Sequence, residues 1–209
     1  MMALHLYTFD DPPSERHIKQ ACEVLSRDGV ISYQLDQNWA FGCDAANPRA
    51  IDRIRMLKPH HPKDQPFTLI CSSISMASEY GNIEHHAYRM LKKAWPGPYT
   101  VLLQRSRNLA RQLNDKRKVV GIRIPDSKLL AALIDAYGMP LASTSAPFVD
   151  ELEPAKQGYQ IEEKFGHGLD LILDLGHEVT GEESSVIDLS EGAPVLVRQG
   201  LGDVALFGL

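Results

Sequence analysis

Apolar positions along this chain recur in two rhythms, one near 3.6 residues and one of short β-prone runs. From Ser14 the spacing of Ile18, Ala21, Cys22 and Leu25 puts an apolar stripe on a helix, with Ser14 as its N-cap and Gly29 beyond its end. Asn47-Pro48, a cap followed by a first-turn proline, opens a second helix that runs to about Leu57. Ile83, Ala87, Met90, Leu91 and Ala94 mark a third, and Asp126 or Ser127 caps a fourth that continues through Tyr137 and stops at Gly138. Strands are predicted at 4–9, 30–35, 67–71, 99–103 and 119–125, then at 169–173, 186–189 and 194–198. The stretch from Asp36 to Asn47 reads as irregular.

Strands alternating with helices over the first two thirds, then strand-rich sequence, predict an α/β fold at the margin of α+β: a mixed, twisted sheet with helices packed on it. A length of 209 residues, 44% hydrophobic and 23% charged, leads us to expect one domain over 1–209. The net charge of −5 argues against a wholesale nucleic-acid coat and confines any such role to a local basic cleft. Cys22, Cys43 and Cys71 are odd in number and widely spaced, so a reducing cytoplasm is expected rather than a disulfide framework. No run approaches 18 apolar residues and the first residues lack a basic, apolar leader, so neither a membrane partner nor targeting is expected. His60-His61 and His85-His86 are sequence neighbours with no cysteine or carboxylate spacing to complete a zinc set, and no structural metal is expected.

Several segments are candidates for chemistry. Trp95-Pro96-Gly97-Pro98-Tyr99-Thr100 stops a helix and relaunches the chain as a strand, a rigid yet sterically open corner that reads either as a structural connection or as a holder for a small anion. Lys58 follows a helix, where the macrodipole alone favours a cation, and opens a proline-studded loop. Arg123 lies between Ile122 and Ile124, on the opposite face of a regular strand. Ser143-Thr144-Ser145-Ala146 is a run of small, mostly hydroxylated side chains. Trp39 offers an aromatic face for a base, and Asp36 and Asp44 are candidate Mg²⁺ contacts, although tryptophan commonly serves cores and aspartate commonly serves turns. Basic residues gather at Lys92-Lys93, Arg105, Arg107, Arg111, Lys116-Arg117-Lys118 and Arg123, a pattern that fits either an RNA-facing patch or a solvated loop.

In order, these landmarks resemble the YrdC/YciO family, whose best known members are L-threonylcarbamoyladenylate synthases of tRNA modification. Trp95-Pro96-Gly97-Pro98-Tyr99-Thr100 resembles the family's W-P-G-P-x-T run, Gly121-Ile122-Arg123-Ile124-Pro125 its G-x-R-x-P strand, and Ser143-Thr144-Ser145-Ala146 its S-A-N approach. Ser184-Ser185-Val186-Ile187-Asp188 is similar to its S-T-V-x-D segment, and Val197-Arg198-Gln199-Gly200 to its closing R-x-G. Five such segments in family order are a specific signal. The pattern is nearer the YciO branch. Where family synthases carry Y-P-T-[DE]-T-x-Y-G-L-G-C, this chain has Tyr33-Gln34-Leu35-Asp36-Gln37-Asn38-Trp39-Ala40-Phe41-Gly42-Cys43, without the threonine hydroxyls. The family's K-x-R becomes Lys58-Pro59-His60, and its S-x-N becomes Ser145-Ala146-Pro147. Histidine at 60 makes local charge titratable near neutral pH, since imidazole has a pKa of about 6.5.

The resemblance implies a fold with a concave basic surface and a reaction that joins threonine, bicarbonate and ATP into threonylcarbamoyl-AMP, with Mg²⁺ as the expected metal partner of ATP. It implies Lys58 and Ser145 as catalytic residues and Lys58, Ser143, Ser145, Ser184 and Arg198 as nucleotide contacts. Tyr33 and Arg123 would contact substrate, with Lys116, Arg117 and Lys118 as a weaker RNA-binding set. The alternative is a non-catalytic relative that binds tRNA or double-stranded RNA.

Overall fold

The alternations in the sequence resolve into one ten-stranded sheet with helices on both faces. The computed structural model describes residues 2–59, 66–107, 117–149 and 153–209. In chain order the elements begin with β1 (Leu4–Tyr7), α1 (Glu15–Leu25), β2 (Ile31–Gln34), β3 (Trp39–Asp44) and α2 (Pro48–Leu57). Next come β4 (Thr68–Ile70), α3 (Ile74–Tyr80), α4 (His85–Ala94), β5 (Tyr99–Gln104) and β6 (Val119–Arg123). The chain continues with α5 (Lys128–Tyr137), β7 (Leu141–Ser145), α6 (Gly158–Phe165), β8 (Leu171–Asp174), β9 (Ser185–Asp188) and β10 (Val195–Arg198), and a 3₁₀ turn spans Val204–Phe207. The sheet is mixed, in the order β1-β8-β2-β3-β7-β4-β6-β5-β9-β10.

The helix starts are chemical. Ser14 accepts from the His17 N–H, Asn47 accepts from the Arg49 and Ala50 N–H groups, and Ser127 accepts from the Leu130 N–H. Gly138 closes α5 in the left-handed conformation at φ 80°. The sequence reading missed β3, β7, α3 and α6. Residues 39–44, expected to be irregular, form β3 because Trp39, Phe41 and Cys43 enter the core on one face while Ala40 and Gly42 lie on the other. Both faces of that strand are buried, which removes the polar half of a strand's usual alternation. α3 and α6 span only 7 and 8 residues, too short for a clear helical period.

The two sheet faces separate cleanly. Trp39, Phe41, Leu69, Val101, Leu103, Ile122 and Ile187 form one core with apolar residues of α2, α3, α4 and α6. On the opposite face Ile31, Tyr33, Ala40, Ile70, Leu141 and Leu173 pack with Ala21 and Leu25 of α1 and with Leu129, Leu130, Leu133 and Ile134 of α5. That second core ends near Ile70. Beyond it the same face carries Thr68, Thr100, Gly121 and Arg123, and these line a hollow. No helix among the described residues is long and apolar enough to cross a membrane.

Candidate functional site

Strand register assembles the hollow. Ile70 pairs with Arg123, Arg123 with Thr100, Thr100 with Val186, and Val186 with Arg198, so one cross-strand row carries two arginines and a hydroxyl. A neighbouring row holds Thr68 opposite Ser143 and Gly121 opposite Leu102. The resulting cavity of about 440 Å³ is also lined by Lys58, Ser145, Glu183 and Ser184. Its volume lies within the ordinary range for small-molecule sites.

Lys58 ends α2 and reaches across to β7. Its Nζ donates to Thr144 Oγ1 at 2.9 Å and to the Ser145 carbonyl at 2.7 Å. Burial lowers its pKa from the ordinary lysine value, against the opposing attraction of Glu183. Arg123 is only 5% exposed. It pairs with Asp36 from the β2–β3 turn, whose other oxygen accepts from the Asp126 N–H at 3.2 Å. The buried Arg123 Nε has no hydrogen-bond partner among the described residues. Arg198 pairs with Glu183 and donates from Nε and one terminal nitrogen to the Ser184 carbonyl at 3.2 and 3.0 Å. Ser184 Oγ lies 3.0 Å from Thr100 Oγ1.

The expected site residues thus divide by position. Lys58, Arg123, Ser143, Ser145, Ser184 and Arg198 share the cavity wall. Tyr33 does not: it is fully buried, and its hydroxyl donates to Ser143 Oγ at 2.7 Å from behind. Burial raises its pKa far above the ordinary phenol value. It supports a wall residue instead of facing the cavity. Arg117 is half-buried and Lys118 exposed at the start of β6, away from the cavity lining, while Lys116 and His60 lie outside the described residues. Trp39 is core, and Asp44 accepts from the Tyr137 hydroxyl and the Ala46 N–H. The Trp95 corner is structural: the Trp95 indole donates to the Tyr99 carbonyl, the Gly97 N–H donates to the Ile124 carbonyl, and only Thr100 reaches the cavity.

Thr68, Thr100, Thr144 and Glu183 were not singled out by the sequence, and Asp36, read there as a candidate Mg²⁺ contact, is half-buried and pairs with Arg123. Thr100 and Thr144 stood inside motifs already noted, so proximity to those motifs was the available signal. Glu183 offered none, because only register brings it beside Arg198.

A half-covered mixed sheet whose bare face gathers lysine, arginine and hydroxyl side chains defines a class of α/β proteins suited to small anionic ligands. Residues 23–200 match the Sua5/YciO/YrdC family model, described as telomere recombination, and the chain belongs to that family. YciO of Escherichia coli K12, an uncharacterized protein, is 34% identical over 207 residues, covering 99% of this chain and 100% of that protein. The crystal structure of E. coli YciO matches with a TM-score of 0.87 over 99% of this chain and 100% of the other, at 33% identity. A threonylcarbamoyl-AMP synthase of Pyrococcus abyssi is more distant, 28% identical over 187 residues, which are 89% of this chain and 54% of that protein. P. abyssi Sua5 complexed with L-threonine matches with a TM-score of 0.78, at 25% identity, over 96% of this chain and 58% of that one.

Proposed function

We propose that the cavity binds a nucleoside triphosphate and supports synthase-type nucleotidyl transfer, with ATP, an amino acid and bicarbonate as substrates. The observation that carries this reading is the convergence of Lys58, Arg123 and Arg198 with Ser143, Ser145 and Ser184 on one cavity wall. Threonylcarbamoyl-AMP synthase and the L-threonine complex among the relatives support threonine as the amino acid.

In such a reaction the amino group and bicarbonate give a carbamate and water. A carbamate oxygen then bonds to the α-phosphorus, and the bond to the bridging oxygen breaks to release pyrophosphate. Both partners are anions, so the residues must first offset their repulsion. Lys58 suits this role because two of its three ammonium donors are held by neutral oxygens, leaving one donor for a phosphate oxygen. Arg123 lines the cavity and is held by Asp36, so its guanidinium supplies a fixed positive charge for a carboxylate or phosphate. Ser143, Ser145 and Ser184 add small hydroxyl donors. Among the described residues no three histidine, cysteine or acidic side chains converge to cage a metal. Glu183 on the wall fits the one-carboxylate style of site in which Mg²⁺ is held mainly by substrate phosphates. When bound there, Mg²⁺ supplies neutralising charge to the triphosphate.

The test is pyrophosphate release with ATP, Mg²⁺ and bicarbonate, with and without threonine, for wild type and Lys58→Ala. Threonine-dependent release that falls by about 10²–10³-fold in the variant is the expected outcome. No release from wild type at micromolar enzyme would overturn the synthase reading and direct the search to RNA.

A further inference from the structure

The geometry points to Gln34 and Gln37 as positioning residues that hold residues 175–184, the connection from β8 to β9, whose last two residues, Glu183 and Ser184, line the cavity. For its functional consequence this inference rests on the nucleotide reading above. Gln34 is 3% exposed, yet its side chain faces away from the cavity. Its Nε2 donates to the His177 carbonyl at 2.7 Å, and its Oε1 accepts from the Leu175 N–H at 2.6 Å. One amide therefore docks two backbone groups of the connection in the manner of a strand neighbour. Gln37 repeats the contact further along: its backbone carbonyl accepts from the Gly181 N–H at 2.7 Å, and its Oε1 accepts from the Thr180 N–H at 3.3 Å.

The connection needs such holding because it has no helix or strand of its own. It also turns at two glycines with left-handed backbone, Gly176 at φ 76° and Gly181 at φ 86°. It ends by delivering Glu183 to Arg198 and Ser184 to Thr100. The same β2–β3 turn pins Arg123 through Asp36. Three residues of one short segment, Gln34, Asp36 and Gln37, thus bear on cationic positions on two sides of the cavity. In the resembling synthase run this segment carries proline and threonines. Here two of those positions carry amides that grip the backbone of the connection.

The test uses the full chain with Gln34→Ala and Gln37→Ala. Gln37 is a half-buried turn position, so its variant keeps the proposal falsifiable if Gln34→Ala does not fold. Three quantities are read: amide hydrogen exchange across 175–184, the NMR shift of the Ser184 amide without ligand, and the Kd for Mg-ATP. The expected result is exchange about tenfold faster across this segment in the variants than in wild type, with the sheet unchanged. The Ser184 amide should shift, because the segment that delivers it to Thr100 is no longer held. Mg-ATP affinity should weaken about tenfold. Unchanged exchange, or faster exchange with an unmoved Ser184 amide, would overturn the positioning role. Movement of both with unchanged ATP affinity would overturn its consequence for ligand binding. If wild type binds no ATP, the nucleotide reading fails, and exchange and the Ser184 shift still decide whether the glutamines hold the connection.

Discussion

At the scale of single residues, the site depends on groups behind the wall as much as on it. Tyr33 fixes Ser143, and Gly42 makes room for Tyr33: a Cβ at 42 would lie 2.7 Å from the ring and from the hydroxyl. Because Tyr33 is enclosed on all sides, it cannot step aside without disturbing its neighbours. Gly42→Ala should therefore cost about 1–3 kcal/mol in denaturant unfolding and release Ser143 from its partner. Tyr33→Phe removes the hydrogen bond without adding bulk and should cost about 1 kcal/mol. A Gly42→Ala protein as stable as wild type would show that the ring has an alternative place. The resemblance pointed to Lys58 and the serines. It did not reveal that Tyr33 serves one of those serines from inside the core, since nothing in its neighbours marks which way the ring points.

At the scale of elements, β1, α6 and β8 meet at His5. Its Nδ1 lies 2.8 Å from Glu162 and its Nε2 2.9 Å from Asp174. Burial alone would lower its pKa, but the hydrogen bonds and charges of Glu162 and Asp174 outweigh that and leave it raised above the ordinary imidazole value. A raised folded pKa means that this contribution to stability is fully present below about pH 6.5 and is lost as pH rises through the folded value. Replacing His5 with Gln should thus destabilise the protein more at pH 6 than at pH 9, as measured by urea unfolding at both. An equal loss at both would show that the imidazole acts as a neutral spacer. Most elements were legible because caps such as Ser14, Asn47 and Ser127 are local chemistry. β3 was not, because its small residues gain their burial only when β2 and β7 pair on either side.

At the scale of the whole molecule, one sheet carries two cores on opposite faces, and the backbone ladder couples them. Leu133 of α5 is wholly buried in the second core, so Leu133→Ala should cost about 2–5 kcal/mol. It should lower the midpoint of a single calorimetric transition by roughly 5–15 °C. Two resolved transitions, with only one moved, would mean that the faces unfold separately and that the expectation of one domain fails.

The order of helices and strands, the caps, and the residue types able to meet an anion were set by the sequence itself, because backbone propensity and side-chain chemistry act locally. Tertiary structure alone decided that α1 and α5 leave part of one sheet face bare. It likewise decided that register aligns Arg123, Thr100, Val186 and Arg198 across four strands. The glutamines of a diverged turn also acquire their backbone partners only there, some 140 residues away. The physical reason is that register and facing depend on pairings between distant segments, and no local pattern encodes the partner.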